Sequence, residues 1–233
     1  INLLNELKQA EVARLVTRGL NPNVQMKDSG ITWIGKIPAH WQIRKIKFLF
    51  EERTVKNHPN EPMLCATQAY GVIPQSLYDN RVVVVNTGFE NLKLVEEGDF
   101  VISLRSFQGG IEYAHYRGII SAAYTILRSN GVLSNDYTRY LFKCFPFIQL
   151  LKTCVKGIRE GQNINYDMLR NNFLFIPPKE EQKAIVSAIN ENNKKIDTLT
   201  SQLSNQITYL KELKQRVISD AVTGKIDVRD YKN

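Results

Sequence analysis

The sequence predicts an α+β fold: a globular domain with a mixed β-sheet, flanked by a long helix of the coiled-coil-forming kind. Three observations carry this expectation. No Gly or Pro occurs between Pro178 and Gly224, so residues 179–223 read as one helix. Apolar residues in that helix recur every seven positions. From Pro62 onward the middle of the chain alternates short β-branched and aromatic runs with Gly-containing turn signals.

In chain order, residues 1–18 form a short helix closed by Gly19, with Asn21-Pro22 as a breaker. Residues 21–37 read as a tether. The run 42–53 places Ile43, Ile46 and Phe50 on one face and reads as a helix or its edge. Strands are expected at 81–86, 99–104 and 119–127, separated by Thr87-Gly88, Gly98-Asp99 and Gln108-Gly109-Gly110. A helix follows over 135–155, which Pro146 should kink or divide. Residues 157–165 form a polar loop, and 173–176 a last short strand. The organisation is then a leading helix at 1–20, a linker at 21–37, a globular domain at 38–178 and the long helix with its tail at 179–233.

The 45 residues of the long helix would reach roughly 67 Å at ~1.5 Å per residue, more than a domain of this size is wide. Such a helix needs a partner. Ile189, Ile196, Leu203, Leu210 and Val217 form one row of the seam, and Ile185, Leu199 and Leu213 the companion row. Asn192, Gln206 and Asp220 interrupt the companion row, and buried polar groups there fix register at some cost in stability. Glu180 and Glu181 suit the positive end of the helix dipole, and Gly224 marks the stop. An amphipathic helix lying on its own domain is the competing reading.

Shifting the chain by 206 residues aligns 1–17 with 207–223, and eight of the seventeen columns are identical, among them Glu6-Leu7-Lys8-Gln9 with Glu212-Leu213-Lys214-Gln215. A repeat at that distance suggests that the chain opens on the tail of one unit and runs through the next. Glu11 stands where Val217 would fall, so the first helix is expected to dock differently.

With 233 residues and 43% apolar content the chain can bury a substantial core. The longest aliphatic run, at 82–85, is far too short to span a bilayer, and the first residues lack the apolar core of a signal peptide. Three scattered cysteines, Cys65, Cys144 and Cys154, indicate neither a disulfide framework nor a zinc ribbon, and a reducing cytoplasm fits them. The net charge of +8 permits phosphate binding. It is spread over the chain: residues 38–178 hold sixteen Lys or Arg against twelve Asp or Glu, and the remainder fifteen against eleven.

Catalytic signatures are lacking. No Gly-rich phosphate loop or GxGxxG occurs, and His40, His58 and His115 have no metal-ligand neighbours at useful spacing. Ile176-Pro177-Pro178-Lys179 is only superficially like an amino-methyltransferase signature and reads as a helix start; Glu6-x-Lys8 and Glu212-x-Lys214 read as solvated helix charges. No catalytic residue, metal or cofactor is expected.

Three polar loops are suited to reading a surface. In Arg105-Ser106-Phe107-Gln108-Gly109-Gly110 a guanidinium can bridge O6 and N7 of guanine and an amide N6 and N7 of adenine, while the glycines permit close approach. An ordinary hairpin turn would use the same residues. Thr67, Gln68 and Tyr70 have a similar polar and aromatic make-up. The loop 156–163 adds Lys156 and Arg159 for phosphates, although Gln162 and Asn163 could equally tie that loop to the helix base. Lys45 and Lys47 are further phosphate candidates.

Asp28-Ser29-Gly30-Ile31-x-Trp33-Ile34-Gly35, then Ile37-Pro38-x-x-Trp41, Gly98-Asp99-Phe100-Val101-Ile102-Ser103 and Ile176-Pro177-Pro178-Lys179-Glu180-Glu181-Gln182 together resemble the specificity subunit of type I restriction-modification enzymes. The resemblance covers the whole chain and implies a DNA-binding target recognition domain at 38–178 and a conserved helix at 179–233. In that family two recognition domains, separated by paired antiparallel helices, each read one half of a split double-stranded DNA target. Methyltransferase subunits bind the assembly and do the chemistry, and a restriction subunit is a further implied partner. This sequence departs from the pattern in carrying one recognition domain, so it looks like the second half of such a subunit or a half-length form. For a half-length form the missing helix would come from a second copy, giving a homodimer through antiparallel long helices. An assembly scaffold that never touches bases, the specificity module of a related methyltransferase system, and a free-standing methyltransferase or nuclease are the alternatives.

Overall fold

The computed structural model describes residues 1–79, 87–156 and 163–226. Helix α1 (Asn2–Arg18) is followed by a hairpin of β1 (Met26–Asp28) and β2 (Lys36–Pro38), then β3 (Gln42–Lys45), β4 (Phe50–Arg53), β5 (Leu64–Thr67) and β6 (Gly71–Pro74). Next come β7 (Lys93–Val95), β8 (Phe100–Ile102), the short helix α2 (Ser106–Gly109), β9 (Glu112–Tyr113), β10 (Gly118–Ile120) and β11 (Thr125–Ser129). Helices α3 (Asn135–Lys143) and α4 (Phe145–Thr153) precede β12 (Val155–Lys156), β13 (Asn163–Ile164), the single-turn helix α5 (Tyr166–Leu169), β14 (Phe173–Ile176) and the 44-residue α6 (Lys179–Val222). The α+β class is as the sequence predicts. The strand expected at 81–86 lies outside the described residues, as does most of the polar loop after Lys156.

The central sheet is antiparallel with order β4-β11-β8-β9, and β5-β6, β7-β10, β3-β14, β1-β2 and β12-β13 form two-stranded companions. Three sequence expectations change here. Residues 42–53 are a strand, a single 3-10 turn over Ile46–Phe48 and another strand, not a helix. The cause is distant: β3 pairs with β14 in the register Lys45 to Phe173, and tertiary pairing overrides a local helical period. The strand expected at 119–127 is broken by a turn in which the Tyr124 amide donates to the Ser121 carbonyl, so β10 pairs with β7 and β11 with β4 and β8. The segment expected as a tether is folded, because Asp28 accepts from the Gly30 amide, Ser29 from the Ile31 amide, and Trp33 packs on Phe147 and Phe175. The division of the 135–155 helix is as expected. Cys144 is extended, and Pro146 occupies the first turn of α4, where its missing N–H costs nothing.

The chain forms two compact units. In the globular unit, Gln9–Ile189, the largest core gathers Trp41, Phe50, Phe100, Phe142, Phe147 and Phe175 with Leu15 and Val16 of α1 and Ile185 and Ile189 of α6. Tyr137 is fully buried and donates its hydroxyl to the Val16 carbonyl at 2.7 Å. The start of α6 is anchored by two side chains. Glu181 accepts from Trp41 Nε1 at 3.0 Å and pairs with His40 at 2.7 Å. Gln182, 0% exposed, accepts from the Ser134 amide at 2.7 Å and donates to the carbonyls of Val132 at 3.2 Å and Pro177 at 2.9 Å.

The second unit comprises Ile1–Lys8 and Asn190–Asn233, and in it Lys8 pairs with Asp197 at 2.7 Å. Ile185 and Ile189, assigned from the heptad to helix pairing, instead fill the globular core. Ile196 is half-buried, whereas Leu199, Leu203, Leu210, Leu213 and Val217 are 40–60% exposed. Gly224 (φ 71°) ends the helix as its position in the sequence implies. No helix among the described residues is long and apolar enough to cross a membrane.

Candidate nucleic-acid interface

The tip of the β5–β6 hairpin is closed by Thr67, whose hydroxyl donates to the Gly71 carbonyl and accepts from the Tyr70 amide, both at 3.0 Å. Thr67 is therefore buried and shapes the turn. Gln68 and Tyr70, on either side of Ala69, are the exposed groups. Gly71 has a positive φ, and a Cβ there would strike Tyr113 and His115, so only glycine lets the hairpin lie this close to β9.

The loop leaving β8 obeys the same logic. Ser106 Oγ accepts from the Ser103 amide at 2.8 Å and is buried, so this hydroxyl holds the loop and is closed to a ligand. Its role is structural, like that of Thr67, because short hydroxyl side chains satisfy nearby backbone groups as readily as external ones. Arg105 and Gln108 remain exposed. The residues form the one-turn helix α2 and not the hairpin turn that the sequence also allowed.

The two loops meet. A Cβ placed on Gly109 would lie 2.6 Å from Gln68 Cδ and 2.8 Å from its Nε2, so the Gln68 side chain lies in the notch where Gly109 has none. Behind them Lys143 Nζ, at the end of α3, donates to the Gln68 carbonyl at 3.4 Å and to Glu112 Oε1 at 2.6 Å. Glu112 is 2% exposed. Burial pushes its carboxyl up and Lys143 draws it back, while its Oε2 has no hydrogen-bond partner. One turn earlier on α3 the Arg139 guanidinium lies 4.7 Å from the Tyr113 ring, which meets His115 edge-on at 4.9 Å. Burial first, then the Arg139 charge, lowers the His115 pKa, so this imidazole favours the neutral form. Arg139 and Lys143 were not singled out from sequence, although their i, i+4 spacing on an expected helix puts them on one face.

The other candidates sit on further elements, of which β13, the strand paired with Lys156, packs against α2. Lys45 and Lys47 belong to the β3–β14 region, their ammonium groups 5.4 Å from the rings of Phe173 and Phe48. The Lys156 backbone pairs with Asn163, and Arg159 lies outside the described residues. Arg53 and Arg117 are engaged by Glu96, Asp99 and Glu61. Among the described residues no three His, Cys, Asp or Glu side chains gather to hold a metal ion. All three cysteines are free and buried, and burial raises each thiol, that of Cys144 to about 12, which keeps them protonated.

A protein-family model described as "type I restriction modification DNA specificity domain" matches residues 38–209. The putative type I restriction enzyme MjaX specificity subunit of Methanocaldococcus jannaschii is 24% identical over 243 aligned residues, which cover 98% of this chain and 53% of that protein. The HsdS subunit of Thermoanaerobacter tengcongensis superposes with a TM-score of 0.57 at 18% identity, over 97% of this chain and 52% of that one. A chain from a structure concerned with complex assembly and conformational transition of the type I R-M system gives 0.60 at 17% identity, covering 94% and 52%. The chain spans about half the length of these relatives.

Proposed function

The chain belongs to the family of type I restriction modification DNA specificity domains, and from that premise we propose that it reads one half of a bipartite site in double-stranded DNA. The observation that carries this reading is the meeting of two loops on buried hydroxyl anchors, which leaves Gln68, Tyr70, Arg105 and Gln108 exposed, with Arg139 of α3 exposed as well and Lys143 half-buried behind them. Residues 38–178 are the recognition domain in this reading. Arg105 and the two glutamines face base edges, Tyr70 offers a flat apolar contact, and Arg139, Lys45, Lys47, Lys156 and Arg159 serve phosphates. The chain itself is non-catalytic. Methyltransferase subunits dock on the helices and supply the reaction, and a restriction subunit joins the complete enzyme.

Residues 179–233 act as a spacer. The exposed row from Leu199 to Val217 is the surface that pairs with a second copy running antiparallel, and helix length then sets the gap between half-sites. The same exposed row favours one alternative, a scaffold that binds protein and no bases.

Arg105→Ala is the discriminating substitution. Measured by fluorescence anisotropy at fixed salt on a duplex enriched from a random library, it is expected to cost roughly 1–3 kcal/mol on that duplex and to relax preference at one G·C pair. Equal binding of wild type and variant would remove Arg105 from the base contacts, and equal binding of the wild-type chain to random and selected duplexes would favour the scaffold.

A further inference from the structure

Gln68 and Gly109 come from loops about forty residues apart, yet the amide of one lies where a side chain on the other would begin. The Gln68 carbonyl is held from behind by Lys143, and Lys143 by a carboxylate that is 2% exposed. Lys143 is thus tied into the fold by Glu112 and is less free than a surface lysine to follow a phosphate. We infer that Gln68 is the side chain that reads an adenine, and that Gly109, Lys143 and Glu112 are its positioning residues. The inference rests on the proposed DNA reading and refines it. A glutamine amide donates to N7 and accepts from N6 of adenine in the major groove, a pairing that tolerates little misplacement.

Gly109 supplies the test because it separates position from stability. It sits in a helical turn without positive φ, and the three atoms nearest a methyl there all belong to the flexible, exposed Gln68 side chain. Gly109→Ala should therefore fold as well as wild type or better, since alanine favours the helix. Its Gln68 amide, however, is pushed out of place. The effect to measure is sensitivity to 7-deazaadenine, which lacks N7, introduced at each adenine of an enriched duplex in turn.

For the wild-type chain one position should weaken binding roughly 5- to 150-fold on losing N7. Gly109→Ala and Gln68→Ala should each reduce that sensitivity to about twofold or less, at the same position and no other. Glu112→Gln, which frees Lys143, should act at that position too. Full sensitivity in Gly109→Ala at every adenine would overturn the inference while leaving DNA reading intact. So would a Lys143→Met variant that binds all sequences uniformly more weakly with a salt slope lower by about one, the mark of a phosphate contact. A wild-type chain that enriches no sequence would remove the DNA reading itself.

Discussion

Gly110→Ala is expected to destabilise the globular unit by about 3 kcal/mol or more, in contrast with the neutral change at its neighbour Gly109. Gly110 has φ 87° and ψ −171°, a region closed to residues with a Cβ. A methyl at this position would also run into the carbonyl of Phe142, which is backbone at the end of α3 and cannot swing aside. Phe142 stacks on Phe147 and packs on Phe50 and Phe100, so displacing it disturbs the largest aromatic cluster. Urea unfolding of the two alanine variants beside wild type checks the contrast: one midpoint falls steeply and the other does not.

Gln182→Leu, close in size, should cost about 2–5 kcal/mol. The side chain is fully buried and makes three hydrogen bonds, and leucine would leave the Ser134 amide and the carbonyls of Val132 and Pro177 without it. The Ser134 amide and the Pro177 carbonyl belong to segments that open α3 and α6, so the loss falls where the long helix is rooted. Gln182→Glu retains an acceptor for Ser134 but turns a buried carboxylate toward the carbonyls of Val132 and Pro177, and should cost at least as much as leucine. Equal stability of all three by urea unfolding would show that the root is held by Ile185, Ile189 and the Glu181 contacts alone.

Much of the fold around those two positions is legible in the sequence, and some is not. The long helix was read to within one residue of its end because nothing in 179–222 competes with a helix, and β14 was read because its apolar run is closed by two prolines. Residues 42–53 were misread because the strand that organises them lies some 130 positions further on, where no local period can report it. Ile185 and Ile189 follow the same seven-residue rule as Leu203 and Leu210, and period alone does not distinguish a core-facing stripe from a partner-facing one. Thr67 and Ser106 show the equivalent ambiguity for polar groups, since a hydroxyl suited to a base edge is equally suited to its own backbone. The loops themselves were legible as candidates. Their convergence was not, because it depends on the backbone bridge between Val72 and residues 114–115 that sets β6 beside β9, and on α3 carrying Lys143 to the Gln68 carbonyl.

Half-site reading at a set spacing is decided by enrichment of random duplex DNA by the wild-type chain at fixed, stated salt. One short sequence should be recovered as two inverted copies with a constant gap, the signature of two reading domains set apart by paired helices. A pool that stays random after repeated rounds, with binding that depends on salt alone, would contradict it.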